Sequence, residues 1–162
     1  MIVRKMSKSR RRRRGRGITI TLATLFVAAQ FVPVPLENPA VSEWVDAPPA
    51  IQAVIEQSCI DCHSYETRWP WYAYVAPASW LVAYDVREGR NALNFSAWDE
   101  YEEGDQIDLL ERVGEEVRAE RMPPWYYLAL HPDASTDEEM IELLSGWAKS
   151  TASKDLRTSV AR

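Results

Sequence analysis

Ile51, Val54, Ile55, Ser58, Cys59 and Cys62 follow one another at steps of three and four, the period of a helix that hides one stripe. Pro48 and Pro49 come just before it and are tolerated in a first turn, where a missing amide hydrogen costs nothing. The same period predicts a helix over Ser79–Glu88, with Trp80, Ala83, Tyr84 and Arg87 on one side and Gly89 placed to stop it. A third helix, Asp105–Glu120, turns Ile107, Leu110, Val113 and Val117 toward a core, with Gly114 as a weak point inside it. The last begins at Ser135, where Ser135 and Glu138 make a capping box, and carries Ile141, Leu144, Trp147 and Ala148 on its apolar side. Asn94-Phe95-Ser96 reads as a turn with Ser96 as an N-cap. No alternating or repeated pattern is visible, so the predicted fold class is all-α.

The intervening stretches set the boundaries. Pro33, Pro35, Pro39, Pro48 and Pro49 predict an extended linker over residues 37–47, between an N-terminal segment (1–36) and a folded domain (48–149). After Lys149 the chain turns to Ser, Thr and charge, and a polar flexible tail is expected over 150–162. Ser64 to Tyr72 is too aromatic for a solvated loop and too irregular for a helix.

Charge divides the chain sharply. Residues 1–16 hold nine Lys or Arg and no acid, so the remainder carries ten bases against 24 acids, a net of −14. That argues against nucleic acid as a partner and suits a solvated acidic face or a basic redox protein. Arg4, Lys5, Lys8, Arg10 to Arg14 and Arg16 precede an apolar run from Ile18 to Val32, and this order directs membrane insertion with the N-terminus inside. The run is about fifteen residues, short for a full span of ~20 but sufficient for a signal core or for an anchor extended through Leu36. Val27 and Ala29 suit cleavage before Gln30, whereas the apolar Phe31 and Val32 that follow favour an uncleaved anchor. Ser9-Arg10-Arg11 lacks the apolar residues of a twin-arginine signal, and the adjacent apolar run gives the arginines a simpler role than a nucleic-acid arm. Either fate places residues 40–162 outside the cytoplasmic membrane, facing the periplasm.

Cys59, Cys62 and His63 form C-x-x-C-H, which uses both cysteines of the chain and one of its two histidines. Shuffling would produce it in roughly one arrangement in 6,400, so accident is a poor account of a string that reads as a covalent haem attachment site. Two sulfurs on one side of a helical turn can reach vinyl groups while the adjacent imidazole ligates iron. A thioredoxin-like dithiol expects a preceding strand, and zinc would need His131 and carboxylates to complete four ligands. Seven Trp and seven Tyr against three Phe suit a pocket needing large flat surfaces with a polar edge.

A second axial ligand decides between electron transfer and ligand chemistry. Met122 is the first candidate, because Pro123 and Pro124 fix an extended backbone that can hold a thioether. His131 is the second, an open or water-bound iron the third, and Met140 reads as core filler.

Together these segments resemble the small haem-binding domain proteins related to c-type cytochromes. The resemblance covers about residues 29–149 and rests on Gln30-Phe31-Val32, Cys59 to Ser64, Thr67 to Tyr72, Val75 to Trp80, Asp85 to Arg90, Leu93 to Trp98, Met122-Pro123-Pro124 and Leu130-His131-Pro132. It implies covalent haem c, an extracytoplasmic domain and a helical fold similar to cytochrome c. It also implies a proline carbonyl that orients the proximal imidazole, for which Pro70 and Pro77 are both candidates. The long basic start departs from the family's shorter one and makes Met6 an alternative initiator.

The expectation is therefore a single-haem electron carrier, not an enzyme, with unidentified protein donor and acceptor. Cys59 and Cys62 tether, His63 and Met122 ligate iron, Trp69, Trp71 and Tyr72 exclude water at the porphyrin edge, and Arg87 or Arg90 pairs with propionates. The rivals are a haem sensor or peroxidase-like enzyme with a displaceable sixth position, and a module in which haem only staples the fold.

Overall fold

The computed structural model describes the backbone of residues 2–160 and the side chains of residues 15–151. It is helical throughout: α1 (Ile2–Ala29), α2 (Pro49–Ser58), α3 (Ile60–His63), α4 (Ala78–Ala92), α5 (Glu103–Arg118), α6 (Trp125–Leu128) and α7 (Glu138–Val160). Short 3-10 turns at Trp71–Tyr74, Trp98–Glu100 and Pro132–Ala134 connect them. Among the described residues the one strand-like feature is an isolated bridge between Glu43 and Ala97. The all-α expectation holds.

Two compact units are present, one made of the chain up to Leu36 with Pro70–Ala83, the other of Glu37–Trp69 with the chain from Tyr84 onward. In the first, α1 joins basic and apolar segments in one helix; the side chains of residues 1–14, the arginine run included, lie outside the described ones. No described helix is long and apolar enough to cross a membrane.

The second unit holds the core. Ile51, Val54 and Ile55 of α2, Leu110 and Val117 of α5, and Leu144 and Ala148 of α7 close around Phe95 and Trp98. α5 lies tight on α7 because Gly114 has no side chain; a Cβ there would stand 3.2 Å from the Ser145 Oγ. The glycine read as a weak point is thus a point of close packing.

Several local expectations are corrected. The 37–47 stretch is no free linker: Val45 and Ala47 are buried, Ser42 and Val45 donate N–H bonds to the carbonyls of Ser96 and Phe95, and Glu43 accepts from Trp98. Prolines that rule out a helix hold the extended backbone this strap requires. α4 runs through Gly89 to Ala92, and it buries Val86 and Gly89, with Leu93 just beyond its end, rather than the face of Trp80, Tyr84 and Arg87. Ser96 caps no helix; its buried hydroxyl accepts the Tyr65 N–H at 3.0 Å. At α7 the capping oxygen belongs to Asp137, which accepts the Met140 N–H at 2.9 Å, while Ser135 ends the preceding turn. Asp137 takes the cap because it sits directly before the first helical residue. Beyond Lys149 the chain stays helical to Val160 rather than fraying, and Ala161 and Arg162 lie outside the described residues.

Candidate haem site

The Cys59–His63 motif lies across a break. α2 ends at Ser58, Cys59 leaves helical geometry at φ −123° and ψ −34°, and α3 makes one further turn. Cys59 therefore ends one helix and starts the next; its carbonyl accepts N–H bonds from Cys62 at 3.2 Å and His63 at 2.9 Å. A single unbroken stripe from Ile51 to Cys62 was the simpler expectation, and the break re-aims the two thiols.

α4 presses on this turn. A Cβ on Gly89 would fall 2.5 Å from the Cys62 carbonyl oxygen and 3.0 Å from its carbon, so only glycine lets the helix this close. One turn further, the Leu93 carbonyl accepts a bond from the His63 Nδ1–H at 3.0 Å. A carbonyl can only accept, so this bond places the proton on Nδ1; the Gly89 backbone is a further partner of the ring. Within the second unit the carbonyl that meets Nδ1 is that of Leu93, where the resemblance implied a proline. Burial also holds the His63 pKa below its ordinary value, which keeps the ring neutral as a metal ligand requires.

Cys59, Cys62 and His63 open onto a cavity of about 490 Å³, within the range of ~300–1,000 Å³ common for cofactor sites. Leu93, Phe95, Leu109, Val113, Val117 and Pro123 give it apolar walls, and Met122 lines it as well. Both cysteines are free thiols. Burial raises each to a pKa of about 12, helped by the mutual repulsion of the pair at Cys59 and by Asp85 and Asp61 at Cys62. A redox dithiol needs the opposite, a thiolate favoured at neutral pH. Among the described residues no three His, Cys, Asp or Glu side chains group to hold a metal ion, which leaves the zinc reading without a ligand set there. Two thiols, one imidazole nitrogen and one thioether around an apolar cavity fit an iron porphyrin.

The turn that delivers Met122 was not legible beforehand. Just past the end of α5, Glu120 takes the left-handed region at φ 56°, and the N–H groups of Arg121 and Met122 return to the Glu116 carbonyl at 3.0 and 3.3 Å. The Arg121 guanidinium clamps the same residue's carboxylate at 2.7 and 2.8 Å. Met122 remains partly open, with 39% of its surface exposed. His131 is absent from the cavity lining; its ring stacks on Tyr127, 4.3 Å between centroids.

Polar side chains the sequence did not single out form the remaining rim. Tyr127 donates its hydroxyl to Asp61 at 2.8 Å, and Arg68 reaches the same carboxylate at 2.9 Å, so the variable Asp61 of the motif ties α3 to α6 and to the following loop. Burial and the Asp61 carboxylate push the Tyr127 pKa up. Asp85 is raised by burial and accepts a bond from the Tyr126 hydroxyl.

Within the second unit, Arg90, Trp69 and Arg87 are not among the residues lining the cavity. Arg90 donates to the carbonyls of Ser64 at 2.7 Å and Glu37 at 2.9 Å and to Asn38 and Thr67, with Tyr65 and Trp69 beside its guanidinium. It organises the loop after the motif, and Trp69 is part of that cluster rather than of the cavity wall. Arg87 pairs with Glu88 at 3.1 Å. Trp71 and Tyr72 belong to the first unit, where their rings meet edge to face.

Comparison with known proteins adds two findings. The family model described as "Haem-binding domain" matches residues 24–150. Over 104 residues the chain is 33% identical to the cytochrome c peroxidase Ccp of Escherichia coli (strain K12), a match covering 60% of this chain and 22% of that protein. The chain thus spans less than a quarter of the length of that curated relative. No solved structure matches it.

Proposed function

We propose, on the premise that this chain belongs to the haem-binding domain family and binds haem, that it is a monohaem c-type electron-transfer protein with His63 and Met122 as axial ligands. One observation carries the reading: His63, its Nδ1–H bonded to the Leu93 carbonyl, lines the same cavity as the two free thiols and Met122. In this reading the Cys59 and Cys62 sulfurs would hold the haem through thioether links. Haem supplies a one-electron iron couple when bound. Leu93 fixes the proximal tautomer, the apolar walls exclude water, and Met122 favours the reduced metal and raises the potential. Helix α1 anchors the chain, with the haem domain on the periplasmic side, where c-type attachment chemistry operates. The acidic remainder suits a basic donor or acceptor.

Haem-loaded protein treated with acid-acetone should keep its pigment, because thioethers survive extraction. Met122→Ala should lose the methionine-to-iron charge-transfer band of the ferric spectrum and fall in potential. A second reading, a peroxidase-like site, draws on the likeness to a cytochrome c peroxidase and on the partial exposure of Met122. It expects a five-coordinate ferric spectrum and rapid peroxide turnover in the wild type, whereas the carrier reading expects neither.

A further inference from the structure

The first unit carries apolar surface that its own fold leaves uncovered. Ile18, Ile20, Leu22, Leu25, Phe26 and Val27 are all more than half exposed, and at 100° per residue they point to two opposite sides of α1, with Thr21, Thr24 and Ala28 in the sector left between. A protein groove covers one stripe of a helix; apolar side chains on opposite sides of the same helix suit lipid around it better than a single groove. Its apolar run of about fifteen residues rises only about 22 Å, short of the ~30 Å hydrocarbon core.

Gln30, one turn past Phe26, makes a two-way clasp on the segment that follows Pro70. Its Nε2 donates to the Phe26 carbonyl at 2.9 Å and to the Ala76 carbonyl at 3.3 Å, and its Oε1 accepts the Ala76 N–H at 3.0 Å. Both backbone polar groups of Ala76 are thus met by one side chain at the end of the apolar helix. From this clasped segment Trp71 (78%), Tyr74 (65%), Leu81 (50%) and Trp80 (42%) present their side chains outward. Trp and Tyr are the residues that favour the boundary between acyl chains and headgroups, with rings in the apolar layer and polar edges in the wet one.

We propose that Pro70–Leu81 is a membrane seat, in which Trp71, Tyr74 and Trp80 lie in the headgroup region of the bilayer that α1 enters. The inference rests on the anchoring role of α1 proposed above and gives it a second element. The seat continues the apolar surface where the helix runs short, on the leaflet opposite the nine Lys and Arg of residues 1–16, which suit anionic lipid. The clasp at Gln30 fixes its height relative to the helix end.

The test uses the full, haem-loaded chain with vesicles of phosphatidylethanolamine and phosphatidylglycerol, part of the lipid being brominated near the headgroup. Wild-type tryptophan emission should be quenched by these shallow bromines. The double variant Trp71→Phe/Trp80→Phe should lose that quenching while still floating with the vesicles, and Trp125→Phe, which removes an exposed tryptophan of the second unit, should keep it. If the chain floats but shallow quenching is absent, survives in the double variant, or disappears in Trp125→Phe, the seat is refuted while the anchor stands. If the chain does not float at all, anchor and seat fall together.

Discussion

Gly89 sets how close α4 comes to the Cys59–His63 turn, and its effect differs from that of a flexible loop glycine. The atoms a Cβ would strike belong to the Cys62 backbone, which cannot rotate away as a side-chain tip can. Gly89→Ala is expected to cost about 1–3 kcal/mol by overpacking, as a fall in the thermal midpoint, and to lower the yield of attached haem. Gly104→Ala, with open space around its Cβ, is the matched control and should not destabilise. Asp85 carries the pH argument. Its carboxyl sits above the ordinary value because burial penalises the anion more than the Tyr126 bond helps it. A group whose folded pKa is raised binds its proton more tightly in the folded state, so at neutral pH the ionised form reduces stability. The cost vanishes as pH falls through the folded pKa toward the unfolded value of 3.8. Asp85→Asn is therefore expected to raise the melting temperature at pH 7 and to lose that advantage below about pH 4. An advantage that persists at pH 3 would mean that the carboxylate is not the cause.

At the scale of elements, the start of α7 separates two candidate caps. Asp137→Ala should cost about 1 kcal/mol by chemical denaturation, and Ser135→Ala close to nothing, since the Met140 N–H is held by Asp137. The stripes of α2, α5 and α7 were legible because their inward residues obey one helical period: Ile51, Val54 and Ile55, then Leu110 and Val117, then Leu144 and Ala148 all reach the core. C-x-x-C-H is a local string, so grouping its three side chains needed no fold. What escaped depends on approach between segments distant in the chain. Gly89 looks like a stop signal until α4 is seen against Cys62, and Val45 looks like linker until its N–H is seen on Phe95. Arg87 and Arg90 were read as propionate partners from charge alone, yet a nearby carboxylate takes one and four backbone and side-chain acceptors take the other. The left-handed Glu120 that turns the chain toward Met122 has no sequence mark, because glycine or asparagine usually fills such a position.

For the whole molecule, the cavity couples the cofactor to stability. Its walls use Leu93, Phe95 and Val117, which also belong to the core of the second unit, so filling the site completes the packing of that core. A ligand held by the native state alone at a hundred to a thousand times its Kd adds about 2.7 to 4.1 kcal/mol, and the proposed covalent tether would act at the upper end because a tethered haem does not dissociate. In a chain of this length each kcal/mol is worth roughly 2–4 °C in the melting midpoint. Cys59→Ser/Cys62→Ser should therefore release its pigment into acid-acetone and, once that pigment is removed, melt about 10 °C below the haem-loaded wild type. Added haem should restore part of the difference through His63, in proportion to its concentration, because binding is then reversible. Equal melting of the haem-free variant and the loaded wild type would mean that the second unit closes its core without the cofactor, and that the apolar cavity is not where haem resides.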